Sequence, residues 1–110
     1  MNLNFDSRFD NRNSDEGGIW HVEISGEIDI YNSDDLKNSF FQLLEEKIAD
    51  IHVNCEKLTY IDSTGLGALV GVLKKLKTDG KKIHLIKLKP NILKLLSITK
   101  LDEVFLVNES

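Results

Sequence analysis

At 110 residues, 41% hydrophobic and 29% charged, the chain has the size and composition of one globular domain, able to bury roughly two thirds of its unfolded surface without covalent staples. A single cysteine excludes an internal disulfide, and no apolar run approaches the ~20 residues that span a bilayer, so no membrane association is expected. The net charge of −4 is uneven: residues 1–62 carry 14 acids against 5 bases, and residues 63–110 carry 4 against 9.

The basic half does not read as a nucleic-acid footprint. Its lysines are scattered (Lys74, Lys75, Lys77, Lys81, Lys82), arginine is missing, and Phe105 is its one aromatic. The start, Met1-Asn2-Leu3-Asn4-Phe5-Asp6, lacks the basic region and apolar run of a secretory signal. The expected setting is cytoplasmic.

Taken in order, Leu3, Phe5 and Phe9 share one parity, as in a first strand. Asn11–Gly18 reads as a hairpin loop. A second strand follows, with Trp20, Val22, Ile24 and Ile28 alternating with polar residues. Asn32 or Ser33 caps a helix whose first turn carries Asp34 and Asp35, suited to the positive end of its dipole. Leu36, Phe40, Leu43 and Leu44 give it an apolar stripe and carry it to about Lys47. A strand at 50–55 comes next, with Cys55 a buried, inert thiol on its apolar face.

Residues 56–61 read as a connector into Asp62-Ser63-Thr64, where a second helix begins. Leu66, Leu69, Val70, Leu73 and Leu76 form its stripe, and Gly80 suits its C-terminal end. Lys82 to Leu88 reads as a strand. Pro90 suits the first position of a short helix, with Ile92, Leu93, Leu96 and Ile98 buried. Val104 to Val107 reads as a last strand. The expected fold is α/β: a small mixed sheet of four to five strands, in the order β-β-α-β-α-β-α-β, with helices packed on it and one domain over 1–110.

The chemically informative segment is Ile61-Asp62-Ser63-Thr64-Gly65-Leu66-Gly67-Ala68-Leu69-Val70-Gly71. Asp62 or Ser63 serves as its N-cap. Glycines at 65, 67 and 71 each cost the helix roughly 0.5–1 kcal/mol relative to alanine. A neighbouring element, a ligand or a partner would each account for that bareness. The segment departs from a dinucleotide fingerprint, because Val70 stands where glycine or alanine belongs, and it lacks the Gly-Lys-Ser/Thr ending of a phosphate loop. The three histidines, His21, His52 and His84, fall in predicted strands. Nothing places one beside Ser63 as a base, and they lack metal-ligand spacing. The sequence points to a binding protein rather than an enzyme, with no cofactor and no metal.

Asp62-Ser63-Thr64-Gly65-Leu66-Gly67 resembles the signature of the anti-sigma-factor antagonists, the small bacterial STAS domains. Gly26-Glu27-Ile28-Asp29 resembles the family's Gly-Glu-hydrophobic-Asp motif, and Ile51-His52-Val53-Asn54 its central strand. Pro90-Asn91-Ile92-Leu93-Lys94-Leu95-Leu96 and Leu101-Asp102-Glu103-Val104-Phe105 sit in the same register. The resemblance implies that the unphosphorylated protein binds an anti-sigma factor that is itself a serine kinase, freeing the sigma factor. It implies that the kinase phosphorylates Ser63, which ends binding, and that a serine phosphatase resets the protein.

The implied partner surface is Asp29, Asp62, Ser63, Thr64, Gly65, Leu66 and Gly67, with Thr64 open as a second acceptor. Ile30-Tyr31-Asn32-Ser33 after Asp29 departs from relatives, and the family's final helix is expected to be short or missing. Two other readings stand beside this one. The chain could be a STAS binding subunit of a stressosome-type or transport complex, with Ser63 only a helix cap. Direct nucleotide binding is the other, disfavoured by the acidic first half and the missing phosphate loop.

Overall fold

The computed structural model describes residues 3–11 and 17–108. Five strands form one sheet in sequence order: β1 (Leu3–Asp10), β2 (Ile19–Ile28), β3 (Asp50–Ile61), β4 (Ile83–Ile86) and β5 (Leu106–Asn108). Between them lie α1 (Ser33–Glu46), α2 (Ser63–Thr78), α3 (Pro90–Ile98) and a 3-10 turn at Leu101–Glu103. β1 pairs antiparallel with β2, and the later strands pair parallel. Of the expected hairpin loop, residues 12–16 lie outside the described residues.

The strand order has a consequence for the layers. Parallel crossovers are almost always right-handed. When strands follow one another monotonically across a sheet, each right-handed crossover puts its helix on the same side. The core agrees. Val22, Ile24, Ile51, Val53, Ile83 and Leu85 of the strands share one cluster with Phe40 of α1, Leu76 of α2 and Leu96 of α3. The opposite face, with His21, Glu23, His52, Asn54, His84 and Ile86, is only half-buried. Parallel sheets usually have both faces covered; this one has one.

Several boundaries differ from the sequence reading. β3 continues through 56–61, where a connector was expected. Opposite β2 it carries extra residues in two places, between the pairs Glu23↔Asn54 and Ser25↔Lys57, and between Gly26↔Leu58 and Glu27↔Tyr60. Its buried residues therefore run Ile51, Val53, Cys55, then Leu58 and Ile61. A spacing of three erases the alternation that marks a strand. Gly26 adopts φ +102° at this irregularity, and Thr59 Oγ1 donates to its carbonyl at 3.0 Å.

On α2, Val72 is fully buried and Val70 is not: the buried residues Gly65, Leu66, Ala68, Leu69, Val72, Leu73 and Leu76 form an arc centred on Leu76, with Val72 inside it and Val70 beyond its edge. β4 stops at Ile86, since Lys87 takes a left-handed φ of 58°. Ile98 is 68% exposed rather than buried; Ile92 and Leu96 define the inward side of α3, and a residue two beyond Leu96 points away from it. Leu93, beside that stripe, is half-buried. The Val104 and Phe105 amides donate hydrogen bonds to the Leu101 carbonyl, at 3.1 and 2.9 Å, so the last strand begins only at Leu106.

Cys55 is buried, as its strand position predicts. Desolvation pushes its thiol up to about 12, and the thiolate is the reactive form. In the native protein at about pH 8, Cys55 should therefore resist Ellman's reagent, and one equivalent should react once urea unfolds the chain. Rapid native labelling would show that the strand opens.

Candidate functional site

The site forms where β2 and β3 end side by side. The Asp62 amide donates to the Ile28 carbonyl at 3.2 Å, which joins the two strand exits. After β2 the chain turns sharply on its own side chains. The Asp29 amide donates to Asn32 Oδ1 at 2.9 Å, Asn32 Nδ2 donates to the Glu27 carbonyl at 2.9 Å, and the Tyr31 amide donates to Asp29 Oδ1 at 2.9 Å. Asn32 stands at the cap position of α1 but does not cap it with its side chain; the buried amide is spent on the turn. That network holds Ile30 and Tyr31 outward, 66% and 80% exposed.

After β3, Asp62 is the N-cap of α2. Its Oδ1 accepts from the Gly65 amide at 3.0 Å and from Thr64 Oγ1 at 2.5 Å. The Thr64 hydroxyl, followed by the Gly65 amide, holds the Asp62 carboxyl below its ordinary 3.8. A folded value below the unfolded one means that this contribution to stability is complete above pH 3.8 and is lost as the pH falls below it. With Thr64 so engaged, the hydroxyl left facing solvent is that of Ser63, an exposed residue in the first turn of the helix.

The three glycines of α2 have three different surroundings. A β-carbon on Gly65 would stand 2.6 Å from Ile61 Cγ1 and 2.7 Å from Ile28 Cγ2, so this residue lets the helix press against both strand ends. One on Gly71 would stand 3.3 Å from Lys37 Cε, whose stem crosses from α1. A β-carbon on Gly67 would meet nothing within 4 Å beyond its own helix among the described residues. Gly67 borders a shallow depression of about 290 Å³ that it shares with Ile30, Asp34, Lys37 and Thr64.

The fold thus gathers Asp29, Asp62, Ser63, Thr64 and Gly67 around one surface. Gly65 and Leu66 are buried beneath it, so they support the site rather than offer contact. Sequence reasoning noted Ile30 and Tyr31 only as part of a departure from relatives and missed Tyr60, which is 48% exposed. The signal was there: large apolar residues in turns and strand exits, where polar ones are usual. The histidines do not reach Ser63. They line one another on the open sheet face, and His52 lies nine strand residues before Ile61, roughly 25–30 Å at about 3.3 Å per residue. Among the described residues, no group of three His, Cys, Asp or Glu is placed to hold a metal ion.

The sequence pattern of the STAS domain matches residues 14–110. The chain belongs to the STAS domain family. It is 33% identical over 109 residues to an anti-sigma-B factor antagonist of Staphylococcus aureus (strain NCTC 8325 / PS 47), covering 99% of this chain and 95% of that one. Among solved structures, an anti-sigma factor antagonist from Mycobacterium paratuberculosis superposes with a TM-score of 0.75 at 18% identity, over 97% of this chain and 87% of that one. The phosphorylated form of the Bacillus cell fate determinant SpoIIAA superposes with a TM-score of 0.69, also at 18% identity, over 97% and 93%. At that identity the two structures speak for the fold.

The two glycines nearest Ser63 separate packing from surface. Gly65→Ala should lower stability by about 1–3 kcal/mol, because side chains of two strands must move. Gly67→Ala should raise it by about 0.5–1 kcal/mol, since alanine favours a helix and meets nothing. Urea unfolding of both variants reads the sign directly.

Proposed function

We propose that this STAS domain acts in the cytoplasm as an anti-sigma-factor antagonist, controlled by phosphorylation of Ser63. In the unphosphorylated state it docks on an anti-sigma factor with serine-kinase activity and frees the sigma factor. A serine phosphatase returns the phosphorylated form to the active pool. The relative's name supports the class of function. No described helix is long and apolar enough to cross a membrane.

Gly67 carries the reading. It costs its helix stability, it faces empty space, and it lies one turn from exposed Ser63. Among the described residues nothing requires that bareness, whereas a partner approaching the backbone would. Exposed Ile30, Tyr31 and Tyr60 at the same strand exits provide the apolar and aromatic anchors that dominate interface energies. The depression beside Gly67 presents both a cation, Lys37, and an anion, Asp34, which fix orientation more than they add affinity.

The switch follows from charge and place. A phosphate adds roughly −1.5 to −2 charges and three acceptor oxygens. At the start of α2 it meets the positive end of the helix dipole, so the domain itself tolerates it. Asp62 stays committed to its Thr64 and Gly65 donors. The new group stands between the Gly67 surface and an incoming partner, and blocks docking without refolding.

The test is a capture experiment. Wild type, Ser63→Ala and Ser63→Glu are each immobilised and exposed to lysate of the source organism. The kinase-type anti-sigma factor is expected on the first two and lost from the third. Retention by all three, or recovery of stressosome or transport components instead, would reduce Ser63 to a helix cap. With the captured partner in hand, Tyr31→Ala should weaken binding at least tenfold, about 1.4 kcal/mol.

A further inference from the structure

Strand register brings together three residues that the sequence keeps far apart. His21, His52 and His84 stand opposite one another on β2, β3 and β4. All three are half-buried on the face that no helix covers. The ring centroids of His21 and His52 are 5.6 Å apart, and those of His52 and His84 are 4.8 Å apart. The rings meet edge to face, at 83° and 77°. His52 thus has an imidazole on each side.

The other groups on this face are few. On β1, Asp6, Arg8 and Asp10 share it; Arg8 pairs in register with His21, and Asp10 Oδ2 lies 3.6 Å from His21 Nε2. On β2, Glu23 follows His21, with its carboxylate 3.6 Å from Lys57 Nζ of β3. On β3, Asp50 and Asn54 flank His52, and Asp50 Oδ1 accepts the Lys82 amide at 2.9 Å. On β4 the remaining residue is Ile86, and the register partner of His84 on β5 is Leu106. Among the described residues, His21 alone in the row has a carboxylate within ion-pair distance. A depression of about 400 Å³ opens over Arg8, His21, His52 and Asn54, so protons in solution reach His21 and His52.

We propose that the histidine row is an acid-responsive element: lowering the pH below neutrality puts positive charge on His52, held between two other imidazoles, and weakens the pairing of β2, β3 and β4. The row uses the side chain whose charge changes near physiological pH. Burial first, and then His84 and His21, push His52 below its ordinary 6.5, with Asp50 pulling the other way. The unfolded chain therefore binds the proton more tightly than the folded one. Destabilisation begins as the pH falls through 6.5 and grows until His52 itself takes up the proton.

The strands concerned are those that deliver the docking site. β2 and β3 end at Ile28 and Ile61, the two side chains pressed against Gly65. Acid loosening of this pair would carry into partner binding; that consequence rests on the docking role proposed above, while the effect on the sheet does not.

The histidine Hε1 resonances of the full wild-type chain are followed by NMR between about pH 8 and 5, with a chelator present so that no bound metal contributes. Urea unfolding is measured at about pH 7.5 and 5.5 for wild type, His52→Thr and the double variant His21→Thr/His84→Thr. The expected result is a His52 midpoint below 6.5, which moves upward in the double variant. The folding equilibrium constant of the wild type should also fall further on acidification than that of His52→Thr. A His52 midpoint at or above 6.5, or equal acid losses in wild type and His52→Thr, would overturn the proposal. The wild-type titration decides it even where a variant fails to fold.

Discussion

The start of α2 lies so close to the ends of β2 and β3 that residue 65 has no room for a β-carbon. This constraint organises the site. It sets the helix directly on Ile28 and Ile61, and brings the Asp62 amide within reach of the Ile28 carbonyl. The Asp62 carboxylate is left to cap the helix by taking the Gly65 amide. A larger residue at 65 would lift the helix start from the strand ends, and the strand exits carrying Ile30 and Tyr60 would lose their common platform.

The same economy fits the docking role proposed for this reactive-looking cluster. Asp62, Ser63 and Thr64 hold a carboxylate and two hydroxyls, yet the carboxylate is committed to the helix cap and the Thr64 hydroxyl to the carboxylate. Ser63 remains, exposed on a rigid helix start. Among the described residues no histidine stands beside it, since the three histidines sit far down the strands. Under the proposed switch, a phosphate added to Ser63 would meet the positive end of the helix dipole, and the change would be confined to what a partner sees.

One topological fact shapes the rest of the molecule. A monotonic strand order with right-handed crossovers gathers every helix on one face. Half the sheet's side chains are then left to solvent, and polar and titratable groups occupy them. The histidine row exists because parallel strands in register repeat the same position. Each histidine directly follows a buried apolar residue of its strand: Trp20, Ile51 and Ile83.

Much of this was legible in the linear chain. Period-two and period-3.6 patterns disclosed β2, α1 and α2, because burial on one face imposes those repeats on composition. Pro90 marked the start of α3, and the motif around Ser63 marked the site, because caps and turns need particular residues at particular places. Residues 56–61 were misread, since two irregularities in β3 replace alternation by a spacing of three, and that spacing has meaning only against β2. Likewise Ile98 and Val104 are apolar in sequence but exposed in the fold, because a residue's own chemistry does not say which side of a short terminal helix or turn meets the sheet. Local chemistry marked the order of strands and helices, the capped start of α2 and the serine within it. How distant elements meet settled which glycine is packed and which is bare, that Ile30 shares a depression with Thr64 and Gly67, and that three distant histidines form a row. Those depend on how elements far apart in the chain meet, and register between strands is written in no single stretch of residues.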